Sequence, residues 1–117
     1  MIAIQSIVVQ ILLLLGITSY SPTVAIDPAY TSAFEHHDGV VRVNAEIDCE
    51  KQYSYCFMAL SHEVGGHWRD WMLCRINSVA VCYLTEQSAY LAALNLTVGD
   101  KLANDFAYEY WFNYGGN

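Results

Sequence analysis

The first residues to weigh for chemistry are His62-Glu63-Val64-Gly65-Gly66-His67. The zinc-binding pattern H-E-x-x-H needs two imidazoles four apart, which an α-helix sets about 40° from each other so that they converge on one ion. Here the histidines are five apart, and on an α-helix they diverge by about 140°. Gly65-Gly66 also predicts a helix end inside the motif. On this reading the segment is not a metalloprotease helix. A loop-borne site is a separate expectation. His36, His37, His62 and His67 are all the histidines of the chain, and both pairs fall in predicted turns. With Asp38 or Glu63 they form a candidate site for zinc or copper. The competing reading is four solvated turn histidines, since neighbours such as His36-His37 seldom serve one ion well.

Other catalytic constellations fare worse. No serine stands in a G-x-S-x-G elbow. Glu46, Asp48 and Glu50 read as a solvated face and do not converge as an acid–base pair would. Gly65-Gly66 and Gly115-Gly116 lack the spacing of a phosphate-cradling loop. No catalytic residue and no cofactor is predicted, and the expectation is a protein that is not an enzyme.

The N-terminus sets the frame for the cysteines. Residues 1–25 carry no charged side chain, and Ile7 to Ile17 form an apolar run broken only by Gln10 and Gly16. That run suits a signal peptide and falls short of the ~20 residues that span a bilayer. Thr23-Val24-Ala25 offers small residues for cleavage after Ala25, with Ser19 as the second choice, although the start of the chain lacks Lys and Arg. An uncleaved anchor built from Ile2 to Ile17 is the alternative. Behind a signal peptide, the even set Cys49, Cys56, Cys74 and Cys82 reads as two disulfides whose pairing the sequence leaves open. Their spacing contains no C-x-x-C and so is not a zinc ribbon. Asn95-Leu96-Thr97 is a glycosylation sequon, making Asn95 a candidate glycan site.

Every Asp, Glu, Lys, Arg and His lies beyond Ala25, so the chain behind it keeps the full formal charge of −7. That charge argues against nucleic acid and against anionic membrane surfaces, which both recruit Lys and Arg. The length supports one small domain, which is expected to need its staples.

The elements that must position these groups follow from periodicity. The organisation read is a signal peptide at 1–25, an irregular segment at 26–39 and a single disulfide-stabilised domain at 40–117. Val40-Val41-Arg42-Val43 predicts a strand after the Asp38-Gly39 turn. Asn44 offers a helix cap, and Cys49, Tyr53, Cys56, Phe57, Leu60 and Val64 fall on one helical face that Gly65-Gly66 should end. Residues 69–76 and 79–85 read as a hairpin, with helix the alternative. Two bridges from the first helix to that hairpin would then pin the two layers; in an all-helical fold a nested pairing would staple a helical hairpin. Glu86 to Asn95 predicts a short helix, Thr97 to Asp100 a capping box, and 99–113 a last helix. The fold class is therefore α+β, a short sheet packed by two to three helices, with an all-α stapled helical hairpin as the alternative.

Tyr108 and Phe112 fall off the buried stripe of the last helix, four apart, beside Asp105 and Glu109. They are a candidate surface for a protein or glycan partner, or else pack on the segment around Tyr30 and Phe34. The function expected is a secreted interaction protein, in the broad sense of an effector, toxin-like or signalling molecule. The alternatives are a small hydrophobic-ligand carrier, a histidine-based metal-binding protein, or a membrane-anchored subunit if residues 1–25 are retained. Cleavage would leave no stable membrane insertion. An intact mass spectrum of the protein recovered from medium is expected to begin at Ile26 and to lack two hydrogen pairs. Free thiols in that protein would contradict the stapled fold.

Overall fold

A computed structural model of the chain describes residues 2–28, 32–79, 82 and 84–115. The elements are α1 (Ile2–Leu15), β1 (Thr23–Asp27), β2 (Phe34–His37), β3 (Val40–Asn44), α2 (Tyr53–Leu60), a π-helical segment (Ser61–Trp68), α3 (Arg69–Ile76), α4 (Glu86–Leu96) and α5 (Lys101–Asn113). This is an α+β fold with two disulfides. α2, the π segment and α3 form one unbroken helical rod, since the residues at both junctions keep right-handed helical angles.

The sheet has the order β1-β3-β2. β3 pairs parallel with β1 from Thr23↔Val40 to Asp27↔Asn44, and antiparallel with β2 from Phe34↔Val43 to His37↔Val40. The two-residue turn between β2 and β3 is Asp38-Gly39, with φ of 50° and 86°. Two positive φ values are what a primed hairpin turn demands, and Asp-Gly is among its preferred pairs. Period-two alternation buries Val41 and Val43 completely while Arg42 points outward. The polar segment 26–39, expected to be irregular, therefore carries the end of β1 and all of β2. Its alternation is hidden because the inward position after Phe34 is taken by His36, a polar residue beside the outward His37.

α1 lays Ile4, Ile7, Val8, Ile11 and Leu12 into the core, the spacing of one helical face. Its other side leaves Val9, Leu13 and Leu14 exposed. β1 runs through Ala25 and Ile26, so the residues read as a leader form α1 and the start of the edge strand β1 here. No helix among the described residues is long and apolar enough to cross a membrane.

Four local expectations are corrected. The first helix starts at Tyr53, not near Glu46: Asn44 Oδ1 accepts from the Glu46 N–H and Asp48 Oδ1 from those of Glu50 and Lys51, so both side chains close turns. Residues 69–76 are helical, not a strand of a hairpin. Each face of α3 has its own partner. Trp68 just before it and Met72 enter the core, Trp71 Nε1 and Arg75 donate to Asp38 at 3.2 and 2.8 Å, and Cys74 is bonded to Cys82. The second expected strand includes Ala80, Val81 and Tyr83, which lie outside the described residues. The bridges are both local, Cys49–Cys56 and Cys74–Cys82, so neither joins the first helix to a distant layer. The last helix also starts later than 99: Asp100 is its N-cap, accepting from the Ala103 N–H at 3.1 Å.

The largest correction is at Gly65-Gly66, which do not end the helix. They let α4 reach its backbone. A Cβ on Gly66 would sit 2.7 Å from Ala89 Cβ and 2.9 Å from Ala89 Cα, and one on Gly65 would meet Leu96. On a free helix, Gly→Ala is stabilising by about 1 kcal/mol. Here Gly66→Ala is expected to destabilise by about 1–3 kcal/mol, the scale of overpacking. Urea denaturation reads the sign, and a stabilised variant would contradict the contact.

Candidate metal centre

The π segment decides which side chains meet. Its ladder runs i→i+5, so residues five apart share a face; the Arg69 N–H, for example, reaches Val64 O. His62 and His67 thus converge, with ring centroids 4.8 Å apart and planes 81° to each other. The divergence expected from an α-helix does not arise, because the backbone is not α there.

α4 brings the third group. Glu86 lies in its first turn, after Thr85, whose side chain caps the helix by accepting from the Ser88 N–H at 3.1 Å. Seated by the Gly66–Ala89 contact, α4 places Glu86 Oε1 2.6 Å from His67 Nε2 and Oε2 3.2 Å from His62 Nε2. His67 Nε2 approaches this closely without hydrogen-bond alignment. His62, Glu86 and His67 offer ligand atoms all within 4.8 Å of one another. A tetrahedral zinc with Zn–N of about 2.0–2.1 Å has ligand–ligand edges of about 3.3 Å. The set His₂Glu also matches a catalytic zinc arrangement, which keeps a fourth position open.

One helical turn past Glu86, Tyr90 stacks on the His62 ring at 3.8 Å and fixes its plane. Tyr90 is backed in turn by Tyr110 at 5.1 Å and Tyr114 at 5.3 Å. His62 is 3 % exposed, and its Nδ1 has no partner among the described residues. Burial, then the neighbouring His67, lowers its pKa to about 3, so the ring is neutral and able to ligate. Glu63 is buried next to it, with Oε2 3.8 Å from His62 Nε2. Burial, then Glu86, raises the Glu63 pKa to about 8. A cation bound beside these two acids would favour their charged forms.

The remaining candidates divide as follows. His36 on β2 is half-buried, accepts the Gly39 N–H at Nε2 and meets Trp71 edge-on. Its pKa falls to about 4 through burial, then His67 and His37, so it borders the centre without joining its ligand set. His37 points to solvent on the opposite face of β2. Asp38 serves the hairpin by holding Trp71 and Arg75. Asp70, Cys74 and Cys82 also cluster, but the two sulfurs are bonded to each other and offer no thiolate. Asn95 is exposed in the last turn of α4, whereas the Thr97 hydroxyl is buried, donating to Ala93 O and accepting from Asn104. Tyr108 and Phe112 are 53 % and 55 % exposed, stacked at 6.4 Å on the outer face of α5; Tyr30 lies outside the described residues. Glu86 escaped the sequence reading because an acid in the first turn of a helix is ordinary.

A cavity of about 170 Å³ adjoins the centre, with His62 and Glu63 in its wall beside Phe34, Tyr55, Tyr90 and Tyr110. No protein-family model matches the chain, and neither a curated protein nor a solved structure matches it.

The buried acid sets a pH dependence. Glu63 binds its proton more tightly in the folded chain, about 8, than at its ordinary value of 4.5. Its favourable contribution is therefore full below 4.5 and is lost as pH rises toward and through 8. His62 and His36 act oppositely, losing stability as pH falls from 6.5 toward about 3 and about 4. In chelator-treated protein, stability should fall between pH 6.5 and 8, by at most about 1.4 kcal/mol per pH unit for one group. Glu63→Gln should flatten that fall in urea titrations. Equal slopes in both proteins would contradict a buried protonated Glu63.

Proposed function

We propose that this chain is a secreted, disulfide-stabilised zinc-dependent hydrolase, with His62, His67 and Glu86 as metal ligands and Glu63 as general base. The observation that carries this reading is the π register, which turns two histidines five apart into a convergent pair facing Glu86. Long π segments are rare, and short ones gather at functional sites. A bound zinc ion polarises a carbonyl and lowers the pKa of its water to about 7. Glu63, with Oε2 3.8 Å from His62 Nε2, would be the residue placed to take a proton from water at such an ion as a new C–O bond formed. The same carboxyl would then return that proton to the departing amine or alcohol as the scissile bond broke. The two disulfides support an oxidising compartment, which favours secretion.

The stacked, exposed Tyr108–Phe112 pair supports a second reading, an interaction protein that docks a protein or glycan by α5. A carrier of drug-sized hydrophobic ligands would have to use the open groove of about 480 Å³ lined by Tyr53, Tyr55, Leu102 and Phe106, because the 170 Å³ cavity is below the roughly 300–1,000 Å³ usual for such ligands.

Metal analysis of protein purified without an affinity tag separates the readings. One equivalent of zinc is expected, and His62→Ala, His67→Ala or Glu86→Ala should each weaken it by more than about 100-fold, beyond the usual effect of outer-shell changes. Glu63→Gln should keep zinc and lose turnover on a fluorogenic peptide mixture. Absence of stoichiometric zinc in the wild-type protein would overturn the hydrolase reading.

A further inference from the structure

We infer that the cavity beside the metal centre is the specificity pocket of the hydrolase and takes a single uncharged, benzyl-sized substrate group. The inference rests on the zinc reading above, because that reading makes the cavity's shared walls, His62 and Glu63, the boundary between pocket and reaction centre.

Size is the first argument. The cavity measures about 170 Å³. A cavity of about 150 Å³ has the volume to accept benzene, so by volume one phenyl ring fits and a drug-sized molecule does not, although this wall mixes ring faces with polar groups. The second argument is the wall. Phe34, Tyr55, Tyr90 and Tyr110 present aromatic rings, and Met58 adds an adaptable thioether. These groups are held by each other: Phe34 tilts on Tyr55 at 6.1 Å, and Tyr90 stacks on Tyr110 at 5.1 Å. A preorganised wall costs little further ordering when a ring enters.

Charge supplies the third argument. The wall contains the carboxyl of Glu63, with Glu86 just beyond it, and neither Lys nor Arg among the described residues. An anionic group would meet the Glu63 carboxyl and no cationic side chain there, with only neutral donors such as the tyrosine hydroxyls to replace its hydration. The position of the pocket is the fourth. His62 lines the cavity and also approaches Glu86, so a substrate held at an ion between His62, His67 and Glu86 would have this cavity next to it across the His62 side chain. Tyr90 belongs to both regions, clamping His62 while lining the pocket.

The test uses zinc-loaded protein and three small hydroxamates, which chelate zinc through the same head group: acetohydroxamate, phenylacetohydroxamate and the monohydroxamate of succinic acid. Calorimetric titration should show phenylacetohydroxamate binding about 10- to 100-fold tighter than acetohydroxamate, the range for burying one such ring. The succinate derivative should show no gain. Ala59→Phe, which fills the cavity from α2, should erase the phenyl gain and leave acetohydroxamate binding unchanged. Equal binding of acetohydroxamate and phenylacetohydroxamate to the wild-type protein would overturn the pocket while leaving the metal centre intact. A gain for the succinate derivative would overturn the charge assignment. Failure of acetohydroxamate itself to bind zinc-loaded protein would bring down the hydrolase reading and the pocket with it. The wild-type comparison stands even if the filled variant does not fold.

Discussion

The close approach of α4 to the π segment is the contact on which the rest of the site depends. Gly66 gives Ala89 its place, and Gly65 admits Leu96. With any side chain at Gly66, α4 would stand farther off and Glu86 would leave the two histidines. The same contact favours the wide π register, whose hydrogen bonds are less common than those of an α-helix and survive where packing holds them. Glycine is here a matter of space between two helices, not of chain reversal. One pair of small residues thus links the backbone register, the helix packing and the ligand geometry.

Around that contact the fold spends burial on polar groups. His62 and Glu63 lie in a region enclosed by α4, α5 and the edge of the sheet, where an uncompensated charge is costly. In the metal-free chain they respond by staying neutral, His62 deprotonated and Glu63 protonated. Two orphaned demands remain: an imidazole nitrogen without a partner, and a carboxylate crowding an imidazole without hydrogen-bond geometry. A dication held through the two Nε2 atoms and Glu86 would relieve the second, whereas Nδ1, on the other edge of the His62 ring, would need a partner of its own.

Much of the fold could be read along the chain, and the site could not. Val40 to Val43 alternate as a strand, and Asp38-Gly39 forms the turn its composition demands. α4 and most of α5 follow from propensity and caps. β2 stayed hidden because His36 and His37 mask its alternation, and α3 because apolar residues on all its sides find separate partners in the core, the Asp38 turn and Cys82. The site was lost at two points. On α-helical geometry the one-residue excess over H-E-x-x-H sends the two imidazoles apart, and a Gly-Gly pair signals a helix end. Both rules are sound for an isolated helix; tertiary contact with Ala89 overrides them. The local disulfides, too, follow from where the chain turns, which spacing alone does not specify.

The central claim, that the π register gathers His62, His67 and Glu86 around one ion, is tested most directly by X-ray absorption at the zinc edge of protein loaded with one equivalent of metal. The account predicts two imidazoles at about 2.0–2.1 Å with the remaining light ligands supplied by oxygen. A zinc spectrum without imidazole scattering, or with one imidazole only, would contradict it.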